Sequence, residues 1–515
     1  MHQQYDRELF FVNEPYLEFK FAQKVTDPRV GLSIFGPYGG DLPSHPKNIS
    51  YGLIGTETGI ELALEFIKTI RKPIISKEFY KNPRLWPVFP GFQAAFHSLI
   101  SNKPTRIFKV DGDQLVTSSL HNDPNKRAYD VSNLYLDGIK QMTNTDDQLH
   151  VIICSMPDIV YKNCRPKSYV RDGIGEKVSY KLRKLRAKGQ TDLFRSYDPI
   201  IYQYSVDCRR QLKARSMIFN VPIQIILEST LNTIEPKNIY ESVGKSPLSD
   251  RAWNLSTTLF YKSGGKPWRL STAREGVCYV GIVFRRSDPL HGENTACCAA
   301  QMFLDSGDGV VIRGDYGPWY SAETRQFHLS KDATYKLLSQ VQTTYSELEG
   351  KPLREIFLHY RIWINDDEYE GFKTACPGDV KLTCIKVRQE RFEVRLFREG
   401  TRPILRGTFL KINDRRGYLW TSGFKPYLKT YDGWETPNQL RLDIQHGEED
   451  LMQVATDILG LTKLNYNSCK YGSANPVTIG FSDAVGEILV SNPAIDEKSP
   501  KFKFYIQYMQ VCTVL

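Results

Sequence analysis

The sequence lacks any apolar run close to the about 18 to 20 residues that a helix needs to cross a bilayer. Its first residues, MHQQYDRELFFVNEPYLEF, include early acidic residues and no small-residue cleavage site after an apolar core. They therefore do not have the features of a signal peptide. We expect a cytoplasmic protein that has no association with a membrane.

Metal-binding and redox cysteine motifs are also missing. The ten cysteines are scattered, with no CxxC and no cysteine–histidine cluster at zinc-binding spacing. Several lie inside apolar, strand-like runs, as Cys154, Cys278 and Cys384 do, so we expect buried, reduced thiols. The chain has no Walker motif, no GxGxxG after a strand and no nucleophile–histidine–acid set. These absences predict a chain without catalytic activity of its own.

Positive charge is in excess, and it is concentrated in one segment. The net charge is +10, and the segment from Lys162 to Arg215 contains 15 Lys and Arg against 5 Asp and Glu, which is also +10. Tyrosines and a phenylalanine are interspersed among these cations. A concentrated basic segment with aromatics is typical of proteins that bind a nucleic-acid backbone. A solvated charged surface is the alternative explanation.

The first half of the chain alternates between strand and helix patterns. The runs ISYGLIGT, LHVIICSMP and VPIQIILEST predict strands, and the runs TGIELALEFIKTIRK, NLYLDGIKQM and SVDCRRQLKARSMIF predict helices. This alternation predicts an α/β fold with a doubly wound, Rossmann-like parallel sheet. Ligands of such sheets are expected beyond the carboxyl ends of the strands.

The pattern restarts near Lys266. The runs GVCYVGIVFRR, TACCAAQMFL and DGVVIRGDY predict three consecutive strands with hairpin-length gaps. A helix is predicted from its N-cap Ser330 to Gly350, and LREIFLHYRIW, DDEYEGFKTA and DVKLTCIKVRQ then predict strand, helix and strand. This order of elements is that of an RNase H-like domain, which we expect in the second half.

Basic and amide side chains recur on two predicted helices of the first half. Arg209 and Lys213 are four residues apart and therefore share one helix face, and Gln224 follows after an apolar turn. Asn254 and Lys262 lie on the second helix, which ends in SGGKPW. A lysine and a basic neighbour at this spacing can converge on one phosphate group. An ordinary exposed helix face is the alternative explanation.

The ordered combination of QLKAR, PIQ, EST, YKSGGKPW, LTKLNYN and NPVTIGFSD resembles the Argonaute family, and within it the short prokaryotic Argonautes. The resemblance covers most of the chain and implies three parts. Residues 1–30 would be lead-in strands, residues 31–265 a MID-like domain that binds the guide 5′ end, and residues 266–515 a PIWI-like domain. The chain has no room for the N-terminal and PAZ domains of long Argonautes, which fits the short class.

The resemblance assigns the 5′-phosphate of a guide to five side chains: Arg209, Lys213, Gln224, Asn254 and Lys262. Most relatives have Tyr or His in place of Arg209, and Thr258 takes the position of a further lysine. The C-terminal carboxylate of Leu515, together with Gln224, is expected to hold Mg²⁺ on the phosphate. A metal ion there would offset the repulsion between the carboxylate and the phosphate.

An active PIWI domain holds two metal ions with a carboxylate tetrad. In the family's frame Gly-Ile-Asp this chain has Val283 in place of the aspartate, and in the frame His-Arg-Asp it has Arg361. Asp483 keeps the final carboxylate. Because an apolar residue and a cation cannot bind metal ions, the resemblance implies a catalytically inactive PIWI domain.

The resemblance therefore implies a recognition subunit that binds a guide RNA with a 5′-phosphate and a single-stranded DNA target. Short Argonautes with inactive PIWI domains act as heterodimers with a partner chain that carries an APAZ region fused to an effector. The effector is a TIR-type or sirtuin-like NAD hydrolase, or a nuclease. Target pairing would activate it in prokaryotic defence, with loss of NAD or degradation of nucleic acid.

Two other functions stay open on the sequence. The chain could be a metal-dependent guided endonuclease that draws its ligands from other carboxylates: Asp288, Asp305, Asp308, Asp315, Asp366 and Asp367. It could also be a nucleotide-binding or metabolic α/β protein whose basic segment serves only solubility. Metal-dependent cleavage by the isolated chain would favour the first. A lack of tight, 5′-phosphate-dependent oligonucleotide binding would favour the second.

Overall fold

The computed structural model describes residues 8–189, 198–234, 246–286, 296–304, 307, 309–391, 393–433, 435–481, 485–486, 488 and 501–503. The strands are β1 (Glu8–Phe11), β2 (Leu17–Glu18), β3 (Lys24–Val25), β4 (Asn48–Ile49), β5 (Tyr51–Gly55), β6 (Leu99–Ile100), β7 (Arg106–Lys109), β8 (Val151–Met156), β9 (Ile223–Leu227), β10 (Arg269–Leu270), β11 (Val277–Arg286), β12 (Ala296–Phe303), β13 (Gly309–Gly317), β14 (Glu355–Tyr360), β15 (Lys381–Glu390), β16 (Thr408–Asn413), β17 (Arg416–Leu419), β18 (Gln439–His446) and β19 (Lys501–Lys503). The α-helices are α1 (Pro28–Ile34), α2 (Glu57–Ile70), α3 (Phe92–Phe96), α4 (Gly112–Ser119), α5 (Pro124–Thr143), α6 (Asp158–Asn163), α7 (Tyr180–Ala187), α8 (Cys208–Arg215), α9 (Glu228–Leu231), α10 (Leu248–Lys262), α11 (Lys331–Glu349), α12 (Asp366–Ala375), α13 (Leu451–Leu461) and α14 (Val477–Gly480).

Four parallel strands form the sheet of the first half, in the order β7-β5-β8-β9. Every residue of β8 is buried, as in strands that are covered on both faces. Consecutive residues of β5, Leu53 and Ile54, point into two different hydrophobic clusters, one containing residues of α2 and the other residues of α5. The doubly wound parallel sheet predicted for the first half is therefore confirmed.

The sheet of the second half runs, within the described residues, in the order β1-β16-β17-β18-β15-β14-β11-β12-β13-β19. Its strands β11, β12 and β13 are antiparallel neighbours, whereas β14 runs parallel to β11 and β15 runs parallel to β14. The chain places α11 between β13 and β14, and α12 between β14 and β15. This is the element order of an RNase H fold, so the prediction for the second half is confirmed.

Local caps define the long helix α11 of this second half. Ser330 begins it, with a side-chain oxygen that accepts a hydrogen bond from the N–H of Ala333. Gly350 ends it in the left-handed region, at φ +61°, where a residue without Cβ is favoured. Both ends lie where the sequence predicts them.

The N-terminal segment joins the second half through strand pairing. β1 pairs with β16, and β2 pairs with β10. One hydrophobic cluster includes residues from both sheets, among them Leu53 of β5 and Phe409 of β16. The lead-in therefore packs as part of the second half, while the predicted boundaries at residues 30 and 265 stay predictions.

The cysteine side chains that the structure describes are free thiols, and all of them except Cys376 are buried. Burial raises the pKa of the Cys154 thiol to about 12, so this group stays protonated at neutral pH. The predicted buried, reduced thiols are thus confirmed at Cys154, Cys278 and Cys384.

Candidate nucleic-acid-binding site

Arg209 and Lys213 are both carried by α8, at the four-residue spacing that aligns them on one face. Asp207 caps this helix, because its carboxylate accepts hydrogen bonds from the backbone N–H groups of Arg209, at 3.0 Å, and Arg210, at 3.3 Å. The cap fixes the first turn of α8 and thereby the position of the Arg209 side chain.

Lys262, the last residue of α10, reaches the start of β9. The residue is only 4% exposed, and its Nζ donates a 2.6 Å hydrogen bond to the carbonyl oxygen of Ile223. Gln224 follows on the same strand, and its Nε2 donates to the carbonyl oxygen of Ile225 at 3.1 Å. The amide nitrogen of Gln224 is therefore engaged by the backbone, which leaves its Oε1 as the atom that could face a ligand.

Arg209, Lys213 and Lys262 form a cation cluster whose members affect one another's charge. Burial, together with the charge of Arg209, lowers the pKa of Lys213 to about 8, although Asp207 opposes the shift. Burial also lowers the pKa of Lys262 well below its usual range, and the charges of Lys213 and Arg209 add to this effect. Buried charge of one sign is costly unless a counter-charge is present, so the cluster favours an anionic ligand.

Tyr161 of α6 also borders the cation cluster, and no sequence pattern pointed to this residue. Arg209 Nη1 donates to Tyr161 Oη at 3.3 Å, and the guanidinium lies 5.2 Å from the ring centroid. Arg165 lies 5.7 Å from the same ring. Because 48 residues separate Tyr161 from Arg209, no local spacing could have linked them. Two guanidinium groups therefore lie over this one ring, which orients Arg209 beside the cluster.

Asn254 lies away from the cation cluster. It is eight residues before the end of α10, which corresponds to about 12 Å along the helix axis. Its Nδ2 donates to Asp250 at 3.1 Å, its Oδ1 accepts from the backbone N–H of Cys469 at 2.8 Å, and its carbonyl accepts from Thr258 Oγ1 at 2.9 Å. Both ends of its amide thus bind protein groups, and the expected phosphate contact of Asn254 stays a prediction. Leu515 lies outside the described residues.

The cation cluster adjoins the amino end of β9, whereas ligands were expected beyond the carboxyl ends of the strands. The edge of the sheet at the carboxyl ends of its strands carries acidic side chains. Thr56 Oγ1 donates to Glu228 at 2.8 Å, and the N–H of Ser229 donates to Asp158 at 2.9 Å. Burial raises the pKa of Glu228, and the charge of Asp158 adds to the shift. The acidic groups make this edge unfavourable for a phosphate.

The positions that correspond to the carboxylate tetrad lie on β11 and just after β14. These strands pair in parallel register as far as Gly281 and His359, which lie two residues before Val283 and Arg361 respectively. Arg361 Nη2 donates a 2.9 Å hydrogen bond to the carbonyl oxygen of Ile479 in α14. The side chain of Val283 and all of Asp483 lie outside the described residues.

Solved structures resemble this arrangement of two halves. The chain matches Clostridium butyricum Argonaute bound to a guide DNA and a 19-mer target DNA, over 95% of its own length, with a TM-score of 0.60 and 15% identity. It matches Aquifex aeolicus Argonaute with externally bound siRNA over 97% of its length, with a TM-score of 0.54 and 16% identity. The chain has an Argonaute fold. The predicted pair of a Rossmann-like MID half and an RNase H-like PIWI half is thereby confirmed.

The Argonaute fold is present here in a chain that spans just over half the length of these relatives. It covers 53% of the Clostridium butyricum protein and 56% of the Aquifex aeolicus protein. No protein-family model and no curated protein matches the sequence. In the part of the chain that the structure describes, no helix is long and apolar enough to span a membrane.

The alternative endonuclease site would need a group of carboxylates in the PIWI half of this Argonaute fold. Among the described residues, no group of three or more His, Cys, Asp and Glu could hold a metal ion. Asp366 and Asp367 are exposed in the first turn of α12. Asp288, Asp305 and Asp308 lie outside the described residues, as does the side chain of Asp315.

Gly281 lets α14 approach the centre of the PIWI sheet. A Cβ at this position would come within 2.0 Å of the carbonyl oxygen of Thr478. We therefore expect Gly281→Ala to lower stability by about 1 to 3 kcal/mol, because backbone atoms would have to shift. Thermal unfolding tests this, with Gly378→Ala as the matched control, since a Cβ there has no neighbour within 4 Å. An unchanged Tm for Gly281→Ala would contradict the contact.

The basic segment presents half of its described cations to solvent. The exposed ones are Lys162, Arg165, Lys167, Arg171, Lys177, Lys181 and Lys188. Arg186 differs, since it is buried and donates to Tyr202 Oη at 2.7 Å and to Glu176 at 3.2 Å. The exposed cations are available to a polyanion, whereas Arg186 stabilises the packing of α7.

Proposed function

We propose that this chain is the guide-binding recognition subunit of a short prokaryotic Argonaute system. It would bind a guide RNA through the guide's 5′-phosphate and pair that guide with single-stranded DNA of an invader. Base pairing would supply the sequence specificity, while the protein would contact the backbone and the shape of the duplex. Target pairing would then activate a partner chain that carries the enzymatic activity.

The observation that carries this proposal is the cation cluster within an Argonaute fold. Lys213 and Lys262 have lowered pKa values because they are partly or fully removed from water and lie close to other cations. A phosphate could accept charge-assisted hydrogen bonds from Arg209 and Lys213. Lys262, which already donates to Ile223, would stabilise the same anion mainly through its charge.

The described residues of the site fit a phosphate, but by themselves they do not fit a divalent cation. The three cations of the cluster border the site. Gln224 offers it one oxygen atom, Oε1, which is neutral. Mg²⁺ prefers several oxygen ligands and would be repelled by the cations without a carboxylate. The proposed Mg²⁺ therefore depends on the C-terminal carboxylate of Leu515, and no step of the proposed function passes through the ion.

We further propose that the PIWI half does not cut nucleic acid. Arg361 has a guanidinium where the family pattern has a metal-binding carboxylate, and this group donates to Ile479. A cation at that position repels divalent metal ions, and Val283 has no polar side-chain atom that could replace the missing ligand. Asp483 alone could not hold two metal ions.

The effector partner is proposed on the resemblance to short prokaryotic Argonautes. The partner would carry an APAZ region fused to a TIR-type or sirtuin-like NAD hydrolase, or to a nuclease, and the heterodimer would oligomerise on activation. The assignment of RNA as guide and DNA as target has the same basis. Among the solved relatives, the Clostridium butyricum protein holds guide DNA and target DNA, and the Aquifex aeolicus protein carries externally bound siRNA.

A binding and cleavage assay on the purified chain tests the proposed function. Co-purifying nucleic acid is extracted and end-labelled, and guides with a 5′-phosphate or a 5′-hydroxyl are compared by filter binding. We expect short 5′-phosphorylated RNAs, and a preference for the phosphate of about 30-fold, which corresponds to about 2 kcal/mol. Complementary single-stranded DNA should bind without cleavage in Mg²⁺ or Mn²⁺.

Two results of this assay would contradict the proposal. Equal binding of the two guides would mean that the cation cluster does not recognise a phosphate. Cleavage that disappears when an aspartate of this chain is replaced would favour the metal-dependent endonuclease instead. The protein that co-purifies with the chain would identify the effector.

The lowered pKa of Lys213 also predicts a pH dependence of guide binding. The free protein loses this proton as the pH rises through about 8, whereas a bound phosphate favours the charged lysine. The affinity for 5′-phosphorylated guides should therefore fall above about pH 8, by up to about tenfold per pH unit. Dissociation constants of both guides from about pH 7 to about pH 9.5 test this. A parallel loss for 5′-hydroxyl guides would contradict the assignment to Lys213.

A further inference from the structure

Among the described residues, two polar contacts join helix α14 to the centre of the PIWI sheet. Thr478 Oγ1 lies 2.8 Å from Nδ1 of the buried His359, and Arg361 donates to the carbonyl oxygen of Ile479 at 2.9 Å. Burial lowers the pKa of His359 to about 3, so its ring is neutral at neutral pH. Of these two hydrogen bonds, the one from Arg361 to Ile479 is therefore the charge-assisted one.

Described residues after α14 pack against α8, the helix that carries Arg209 and Lys213. The N–H of Val485 donates to the carbonyl oxygen of Phe481 at 2.9 Å. Val485 and Ile488 belong to a buried apolar cluster whose other members lie on α8, in the turn after it, and on strands β12 and β13: Ala214, Met217, Ala299 and Val311. Ala214 is the residue directly after Lys213. A chain of contacts thus leads from Arg361 through α14 to Ala214 of α8, beside the cation cluster.

We propose that Arg361 is a positioning residue for the guide 5′-phosphate pocket, acting through α14 and the apolar cluster on α8. This inference rests on the proposed function of the pocket. A binding group has to be held within about 0.5 Å of its productive position by the residues that support it. A shift of α14 would change the packing around Ala214 and hence the position of Lys213. The residue at a lost metal-ligand position would thus serve guide binding.

The test compares the preference for 5′-phosphorylated over 5′-hydroxyl guides in variants of the full chain. Arg361→Ala should reduce this preference about fivefold, because the hydrogen bond to Ile479 is lost. Arg361→Lys still provides a cationic donor and should restore the preference to within about twofold of the wild type. Arg388→Ala is the matched control, since Arg388 is exposed on β15 of the same sheet and pairs with Glu390 at 3.3 Å. It should affect both guides alike.

A second variant tests the same contacts without a change of charge. Thr478→Val removes the hydroxyl that meets His359 and should also reduce the phosphate preference, with Tm measured to confirm folding. If Arg361→Ala does not fold, the phosphate preference of Thr478→Val tests the inference in its place. A wild type without phosphate preference would overturn the proposed function, and this inference with it. A wild type that prefers the phosphate, with both variants unchanged, would overturn the inference alone.

Discussion

Replacing Lys213 by methionine should weaken the binding of a 5′-phosphorylated guide about 30-fold, because a charge-assisted bond of about 2 kcal/mol is lost. Methionine keeps most of the length and packing of lysine at this half-buried position, so the variant mainly removes the charge. A guide with a 5′-hydroxyl should bind the variant and the wild type equally. Filter binding of both guides at one salt concentration measures the effect.

The matched control for this variant is Lys181→Met, in the exposed part of the basic segment. It should weaken both guides by less than about threefold and reduce the slope of log Kd against log salt by about 1. Arg186 is not a suitable control, because it is buried and donates to Tyr202. Equal weakening of both guides by Lys213→Met would place the phosphate pocket elsewhere.

Replacing Glu14 by glutamine should lower the free energy of unfolding by about 3 kcal/mol. The Glu14 carboxylate accepts hydrogen bonds from Arg406 Nε at 2.9 Å and Lys463 Nζ at 2.6 Å, and both cations are buried. Burial would raise the pKa of Glu14, but the charges and hydrogen bonds of Arg406 and Lys463 outweigh it and lower the pKa to about 2. The neutral amide would leave two buried cations without their counter-charge.

Because the pKa of Glu14 is lowered in the folded protein, the stability that Glu14 contributes depends on pH. The stabilising contribution is fully present above the unfolded pKa of 4.5 and is lost as the pH falls from there towards about 2. The difference between Glu14→Gln and the wild type should therefore narrow as the pH falls below about 4.5. Urea unfolding at neutral and acidic pH measures it.

The control for Glu14 is Glu65→Gln, which removes an exposed pair with Lys68 at 3.2 Å. Glu65→Gln should lower the free energy of unfolding by less than about 0.5 kcal/mol, because water and salt screen exposed charges. If Glu14→Gln lowers the free energy of unfolding no more than Glu65→Gln does, the role of the buried charges is contradicted.

Individual helices, including the one that carries part of the candidate site, could be predicted because their signals are local. The helix between Ser330 and Gly350 follows from caps and periodicity, and both ends agree with the structure. The spacing of Arg209 and Lys213 likewise depends on one helix, α8. Helical periodicity and caps involve residues within a few positions of one another, so a single sequence contains the information.

Contacts between distant segments could not be predicted in this way. The ring of Tyr161 beside Arg209, the bond of Arg361 to Ile479 and the pairing of β1 with β16 join residues far apart in the chain. Asn254 shows the consequence, because its place on a predicted helix was correct while its amide binds other protein groups. Such contacts depend on how whole elements pack together.

By itself, the sequence determined the order of strands and helices, the concentration of positive charge between Lys162 and Arg215, and the residue types at the tetrad positions. Only the tertiary structure decided that Arg209, Lys213 and Lys262 share one partly dry site at the start of β9. The physical reason is that desolvation and the interaction of charges depend on distance in space, which packing between remote segments sets.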